Sequence, residues 1–147
     1  MSIKFPPPIE FPPKKRDIVG VYDFYDEPLL YTFIAGKHGD LYLALFASED
    51  DTHKVWLVTQ VTATRVTDMV CGRMDLRDMF LRSEFCEVWQ FHLPRLLDVD
   101  PFCTRQRTER GELTDDILPP VGDRLVRRSE TVEKVYRVFS EAYLHRK

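Results

Sequence analysis

Two aspartates in an aromatic stretch are the residues best suited to acid–base chemistry. Asp23 and Asp26 bracket Phe24 and Tyr25, and Pro28 follows shortly after. Aromatic neighbours that exclude water raise the pKa of a carboxyl group towards the range in which a general acid works. Aspartates ahead of a proline also cap turns. We favour the turn interpretation, with a small hydrolase that uses Asp23 or Asp26 as an alternative.

The other polar residues do not form a metal motif. The four histidines are not spaced from one another or from a cysteine as zinc ligands are. Glu49, Asp50 and Asp51, with His53 close by, could offer ligands to a hard cation. Adjacent carboxylates in a hairpin loop are commonly solvated, and no glycine shapes this loop around an ion. We therefore predict no metal and no cofactor.

The cysteines give no sign of a nucleophile or of a disulfide framework. Cys71, Cys86 and Cys103 are odd in number and distant in sequence, and no base can be placed beside them. We predict buried, free thiols in a reducing compartment. The N-terminus is too rich in proline for a signal peptide, and no apolar run is long enough to span a membrane. These features favour a cytoplasmic protein with no membrane partner, and the absence of catalytic motifs favours a non-enzyme.

Two arginine clusters could contact an acidic partner or a phosphate backbone. Their members are Arg105, Arg107, Arg110, Arg124, Arg127 and Arg128. Acidic residues are interleaved with them, and the net charge of the chain is −3. A nucleic-acid-binding domain normally carries a basic excess. A nucleic-acid-associated protein that uses the Arg105–Arg128 segment is therefore a second alternative.

Residues 1–16 form a proline-rich arm ahead of a single domain at residues 17–147. Five of the ten prolines lie in the arm, which favours an extended, stiff backbone. Burial of one large apolar side chain is worth about 1.5–3 kcal/mol. We therefore predict that Phe5, Ile9 and Phe11 dock the arm on its own sheet or on a neighbouring subunit. Alternatively, Phe5 and Phe11 bind an aromatic-lined groove on a partner.

The elements that position these residues centre on three apolar runs between Pro28 and Thr59. Glycine or Ser/Asp clusters at residues 35–39 and 48–53 divide the runs, which is typical of strands joined by hairpin loops. We predict a three-stranded antiparallel meander whose middle strand, containing Leu43, is central. Residues 17–26 should form a preceding strand or an extended segment that ends in a turn.

The rest of the chain predicts two short helices, a further strand and a C-terminal helix. Thr62 and Asp75 are suitable N-caps for the short helices, and Gly72 can end the first. Residues 87–93 alternate as a half-buried strand does. We expect residues 95–122 to be the most mobile part, with a short strand near 103–107. Apolar residues with helical spacing after Ser129 predict an amphipathic helix. The fold class is therefore α+β, with helices packed on an antiparallel sheet.

Several of these runs resemble a family of small bacterial proteins in both order and content. Members of that family carry a D-x-P-L-L strand, a Y-L-A strand and a G-x-x-x-L-R-x-x-F helix. The corresponding runs here lie at residues 22–30, 41–44 and 72–80, with Trp56-Leu57-Val58 between them. The resemblance covers about residues 20 to 92, and Glu27 stands where glycine is expected. The family is known only as a domain of unknown function, so the resemblance implies a bacterial origin and no activity.

Our leading hypothesis is a non-enzymatic interaction module, an accessory subunit of a bacterial multi-protein system. It follows from the absence of catalytic motifs, the proline-rich arm and the charged segment ahead of the last predicted helix. The expected partner is another protein or a second copy of the chain.

Overall fold

The computed structural model describes residues 3–4, 9–25 and 27–122. The predicted C-terminal helix lies outside the described residues. Five of the residues predicted to take part in binding or chemistry also lie outside them, namely Phe5, Asp26, Arg124, Arg127 and Arg128.

The described residues form one antiparallel sheet and two short α-helices, which confirms the α+β class. The strands are β1 (Ile3–Lys4), β2 (Ile18–Tyr25), β3 (Glu27–Ala35), β4 (Asp40–Glu49), β5 (His53–Gln60), β6 (Glu87–Pro94) and β7 (Phe102–Arg107). Their order in the sheet is β1-β7-β6-β5-β4-β3-β2, and all neighbours are antiparallel. Strands β2 to β7 therefore form a continuous meander, and the two-residue β1 adds to its β7 edge.

The predicted three-stranded meander is confirmed as β3, β4 and β5. Gly36 and Gly39 in the first hairpin loop have φ values of +82° and +63°, which glycine adopts without strain. Strand β4 is interior, since β3 and β5 pair with its two sides. The segment before the meander is strand β2, and the strand predicted near residues 103–107 is β7.

Helices α1 (Ala63–Val70) and α2 (Leu76–Leu81) follow β5 as predicted. The Thr62 hydroxyl accepts a hydrogen bond from the Arg65 backbone N–H at 3.2 Å. The Asp75 carboxylate accepts one from the Asp78 backbone N–H at 2.8 Å. Gly72, with φ of +74°, follows the end of α1. Both predicted caps are therefore confirmed. None of the helices among the described residues has the length and apolar character needed to cross a bilayer.

The sheet is covered on both faces. On the helix face, Leu30, Leu43, Leu57 and Val88 pack with the buried side chains of α1 and α2. The aromatic face carries a second buried cluster, in which residues of six strands meet Ile9 of the arm. Its buried members are Ile9, Val21, Tyr31, Phe33, Ala44, Trp56, Val58, Phe91 and Cys103. Successive side chains of each strand point to opposite faces of the sheet, and here both faces are covered. The strands therefore contribute to two cores instead of one core and a solvated face.

The N-terminal arm packs on the aromatic face of its own chain. Ile9 is only 8% exposed. The Phe11 ring centroid lies 4.8 Å from that of Phe91 and 5.8 Å from those of Phe33 and Trp56. These are contact distances for tilted and edge-on aromatic pairs. Phe11, a predicted partner-binding residue, therefore has its ring inside this chain's own aromatic cluster.

Candidate functional site

Asp23 lines a cavity of about 240 Å³ on the helix face of the sheet. Its position depends on a β-bulge. Val21 pairs with Tyr31 and Asp23 pairs with Leu30, so β2 advances by two residues where β3 advances by one. A bulge adds one residue to one strand and so breaks the alternation of side chains. The bulge therefore places Asp23 opposite Leu30, which belongs to the helix-face core.

A polar contact and a close approach fix the bulged strand. The Tyr22 hydroxyl lies 3.0 Å from the Thr32 hydroxyl on the neighbouring strand. The Tyr22 ring crosses over Gly20, where an added Cβ atom would lie 2.6 Å from the hydroxyl oxygen. Glycine at position 20 thus leaves room for Tyr22, which lies beside Asp23.

Apart from Asp23, the residues that line the cavity are of apolar types. They come from β4, from the first residue of α2 and from the segment after β7, and they are Leu45, Phe46, Ala47, Leu76, Ile117, Leu118, Pro119 and Pro120. Among the described lining residues Asp23 alone is titratable. A general acid–base pair needs two such groups, so these residues do not assemble one.

The segment that covers the cavity is tied to the start of α2. Arg77 donates a hydrogen bond through Nη1 to the Pro119 carbonyl at 3.3 Å and forms an ion pair with Asp115. The second oxygen of the Asp75 cap accepts from the Gly122 backbone N–H at 3.0 Å. Leu118 is buried in the helix-face core. The α2 cap and its neighbour Arg77 thus hold residues 115–122 against the sheet.

A second feature at the same end of the sheet is the loop of residues 95–101 between β6 and β7. The Arg95 backbone N–H donates to the Thr52 carbonyl at 2.7 Å, and the Arg95 guanidinium donates to the Asp50 carbonyl at 2.5 Å. His53 Nε2 lies 2.9 Å from the Asp100 carbonyl oxygen. These contacts fasten both ends of the loop to the β4–β5 turn.

The fastened loop presents two leucines to solvent. Leu97 is fully exposed, and Leu96 is 51% exposed. Adjacent exposed leucines on a held loop are unusual for a surface that contacts only water. We refer to Leu96 and Leu97 as the leucine pair. The sequence gives no signal for the leucine pair, since these residues show no strand or helix period.

The strand register brings together side chains that are distant in sequence at the base of this loop. His92 stacks on Phe102 with ring centroids 4.1 Å apart, and His53 lies 5.1 Å from Phe102. The two histidine rings are 6.2 Å apart. No group of three potential metal-ligating side chains occurs in the part of the chain that the structure describes. The histidines thus pack against Phe102 at the base of the loop.

Asp50, considered above as a cation ligand, caps the β4–β5 turn. One carboxylate oxygen accepts from the backbone N–H groups of Thr52 and His53, both at 2.8 Å, and from the Thr52 hydroxyl at 3.0 Å. These hydrogen bonds favour the charged form and hold the pKa of Asp50 below its usual range.

The arginines of β7 face carboxylates across the sheet. Arg105 and Arg107 lie 3.8 and 3.3 Å from the same oxygen of Glu87. Arg107 also pairs with Glu109 at 2.7 Å and lowers the pKa of that carboxyl. Arg110 lies beyond the strand in a 3₁₀ turn, Thr108–Arg110, and is exposed. The positive charge at the end of β7 is thus balanced locally by Glu87 and Glu109.

The three cysteines are free, as predicted, but they are not all buried. Cys103 is buried, and burial raises the pKa of its thiol to about 12, which leaves it unreactive. Cys86 is half-buried. The expectation of burial is wrong for Cys71, which is exposed because it follows the last turn of α1.

Because no thiol is bonded to another, reducing agent should not change thermal stability. We expect the same Tm with and without dithiothreitol, followed by circular dichroism at 222 nm. A clear fall in Tm on reduction would reveal a disulfide and contradict the free-thiol assignment.

The cavity and the leucine pair lie at one end of the sheet. Strands β2, β4 and β6 all end there, at Tyr25, Glu49 and Pro94. Among the described residues, the acidic ones at this end include Asp23, Glu49, Asp50, Asp51, Asp98 and Asp100, and the basic ones include Arg95, His53 and Lys54. We call this surface, which comprises the cavity, the leucine pair and their acidic surroundings, the acidic end.

The chain belongs to DUF6575, a family of unknown function, whose model matches residues 14–115. The match extends beyond the segment that carries the sequence resemblance on both sides. It includes Asp23, the leucine pair and the arginines of β7. No match was found among curated proteins or among solved structures.

Proposed function

We propose that this member of a family of unknown function is a non-enzymatic interaction module that binds a protein partner through its acidic end. In this proposal it is an accessory subunit of a multi-protein system. The sequence resemblance supports a bacterial origin as part of this proposal. The free thiols support a cytoplasmic location, since the cytoplasm keeps thiols reduced.

The observation that carries the proposal is the exposure of the leucine pair on a fastened loop. Binding usually costs the entropy of ordering the loops that make contact. Here the contacts of Arg95 and His53 with the β4–β5 turn already hold the loop. Burial of exposed leucine side chains by a partner would then contribute about 1.5–3 kcal/mol each, with little further ordering of this chain.

The charges around the leucine pair support a basic partner. Asp98 and Asp100 are in the same loop, Asp51 is in the adjacent turn, and all three residues are exposed. Complementary charge at the rim of an interface accelerates association and rejects partners of the wrong sign. A partner surface with apolar residues surrounded by lysine or arginine would match this arrangement.

The alternatives have less support in the described geometry. A hydrolase based on Asp23 lacks a second titratable group among the described cavity residues. A nucleic-acid-binding role for Arg105 and Arg107 is opposed by Glu87 and Glu109, which take up their charge. Phosphate binding would have to break these pairs first.

The test is a comparison of partners recovered by the tagged full chain and by two variants in its native host. The double variant Leu96→Ser with Leu97→Ser should lose the specific partner. The control Phe85→Ser, at an exposed apolar residue just before β6 and so at the opposite end of the sheet, should retain it. With the purified partner, the double variant should raise Kd by about thirtyfold or more, as expected for the loss of a central apolar contact. Recovery of the same proteins at the same level by the double variant would refute the proposal.

A further inference from the structure

We propose that the acidic end binds a second copy of this chain, which presents a basic corner at the opposite end of its sheet. The basic corner consists of exposed basic residues and two exposed apolar residues, namely Lys14, Lys15, Arg16, Lys37, Val19 and Ile34. This inference rests on the proposed function, and it names the partner of the same surface.

The register of two strands assembles the basic corner from separate segments of the chain. Ile18 of β2 pairs with Phe33 of β3. Because the two strands are antiparallel, the residues before Ile18 lie beside those after Phe33. The first segment forms the 3₁₀ turn Lys15–Asp17, which contacts β3. The second is the hairpin loop that contains Lys37 and follows the end of β3. The basic residues of both segments therefore share one corner of the sheet.

The basic corner has an excess of positive charge. Residues 14–17 and 37–40 together contain four lysine or arginine residues and two aspartates. The two aspartates, Asp17 and Asp40, are half-buried. Lys14, Arg16 and Lys37 are exposed, and they form no ion pair with another described residue. The positive charge of the corner is therefore available to an acidic surface.

The acidic end carries the complementary charge. Asp51, Asp98 and Asp100 are exposed, and none of them is in an ion pair within the described part of the chain. The guanidinium of Arg95 in the same loop already donates to the Asp50 carbonyl. Opposite charges around an interface favour the matching surface, and like charges reject a wrong one. An acidic end should therefore bind a basic corner and repel a second acidic end.

Apolar side chains are also present on both surfaces. Val19 is 47% exposed and Ile34 is 39% exposed, and they lie next to the paired residues Ile18 and Phe33. The leucine pair projects from a loop beyond the strand ends at the other end of the sheet. Contact between the leucines and these two side chains removes apolar surface of both copies from water. The chain thus carries the kind of surface that its acidic end requires, namely apolar residues surrounded by lysine and arginine.

The backbone of the basic corner is held before a second copy arrives. The 3₁₀ turn lies between the docked arm and strand β2. At this turn, the Asp17 backbone N–H donates to the Lys14 carbonyl at 2.9 Å. In the hairpin loop, the Gly39 backbone N–H donates to the Gly36 carbonyl at 3.3 Å. Because the loop at the acidic end is fastened as well, association requires little ordering of either surface.

The two surfaces are too far apart to meet within one chain. Strand β4 begins near the basic corner and ends at the acidic end, and it has ten residues. A strand of that length spans roughly 30 Å. The contact must therefore join two copies head to tail. Such a contact leaves one surface of each kind unoccupied on every pair of copies, so that further copies can add.

Light scattering of the purified full chain over a concentration series tests this proposal. The apolar contact involves few side chains, and small interfaces give weak association. We expect the average mass to rise between about 20 μM and 1 mM, without a plateau at the dimer. A change from about 0.1 M to 1 M NaCl shortens the Debye length from about 10 Å to 3 Å. The mass should therefore fall at high salt.

Two variants each remove one of the surfaces. Leu96→Ser with Leu97→Ser alters the acidic end, and Lys14→Glu with Lys37→Glu alters the basic corner. Each variant alone should stay monomeric over the whole series. An equimolar mixture keeps one intact surface of each kind, so it should form a one-to-one dimer and nothing larger. The control, Arg82→Glu with Arg110→Glu, makes the same change of charge at two exposed arginines outside the corner. It should associate as the unaltered chain does.

Several results would overturn head-to-tail association. They are a full chain that stays monomeric at 1 mM, a plateau at the dimer, a mixture of the two variants that stays monomeric, or an equal loss in the arginine control. A far-ultraviolet circular dichroism spectrum shows whether each variant is folded. If the lysine variant does not fold, the mass of the leucine variant and the effect of salt on the unaltered chain decide.

The same variants separate this inference from the proposed function. A full chain that stays monomeric, together with loss of the host partner by the leucine variant, would refute self-association and leave the proposed function standing. Head-to-tail association of the purified chain, together with unchanged recovery of other host proteins by the leucine variant, would refute the proposed function. Self-association through the acidic end would then stand alone.

Discussion

Replacement of Leu43 by alanine is expected to lower the free energy of unfolding by about 2–5 kcal/mol. Leu43 is fully buried in the interior strand β4, where it pairs with Thr32 of β3 and Thr59 of β5. Its side chain belongs to the helix-face core that α1 and α2 cover. The removed side-chain atoms lose their favourable transfer from water, and strands on both sides keep the backbone from collapsing into the space.

A chemical-denaturation curve measures this loss. Leu97→Ala is the matched control, because it makes the same chemical change at a fully exposed leucine. It should change stability by less than about 0.5 kcal/mol. A loss below about 1 kcal/mol for Leu43→Ala would mean that β4 is not an interior strand.

Removal of the Phe11 ring should also be costly, because this side chain, together with Ile9, fastens the arm to the aromatic face. The ring meets Phe33, Trp56 and Phe91. Area burial and three aromatic contacts together give an expected loss of about 2–4 kcal/mol for Phe11→Ala. Phe85→Ala, at a phenylalanine that is 45% exposed, is the control and should have a small effect.

Deletion of residues 2–13 extends this test to the whole arm. The deletion uncovers apolar side chains on the aromatic face, and uncovered apolar patches promote association. We expect a lower Tm and a larger mass by light scattering than for the full chain. An unchanged Tm with an unchanged monomer mass would show that the arm contributes nothing to the fold.

Much of the fold was predictable because its signals are local. Apolar runs separated by glycine or acidic clusters indicate hairpins wherever they occur, and the caps at Thr62 and Asp75 act within three residues. The structure confirms the meander, both short helices, β2, β6 and β7. These elements depend on neighbours in sequence, so one chain is sufficient to identify them.

The candidate functional surface was not predictable, because it depends on register and on contacts between distant segments. Strict alternation along β2 does not tell which face Asp23 occupies, since one extra residue at a bulge reverses it. The pairing of Arg105 and Arg107 with Glu87 needs the register of β6 against β7. The loop of residues 95–101 shows no period. It is held by Arg95 and by the distant His53.

The irregularity of β2 has a consequence for how the protein meets others. An edge strand with a regular ladder of free N–H and C=O groups invites pairing with a strand of another chain. Register shifts interrupt β2 at three places between Ile18 and Phe24, and β1 caps part of the β7 edge. Lateral growth of the sheet, whether as fibrils or as strand-swapped complexes, is therefore disfavoured at both sides of the described sheet. The bulge that directs Asp23 towards the cavity thus also hinders pairing of the β2 edge with a strand of another chain.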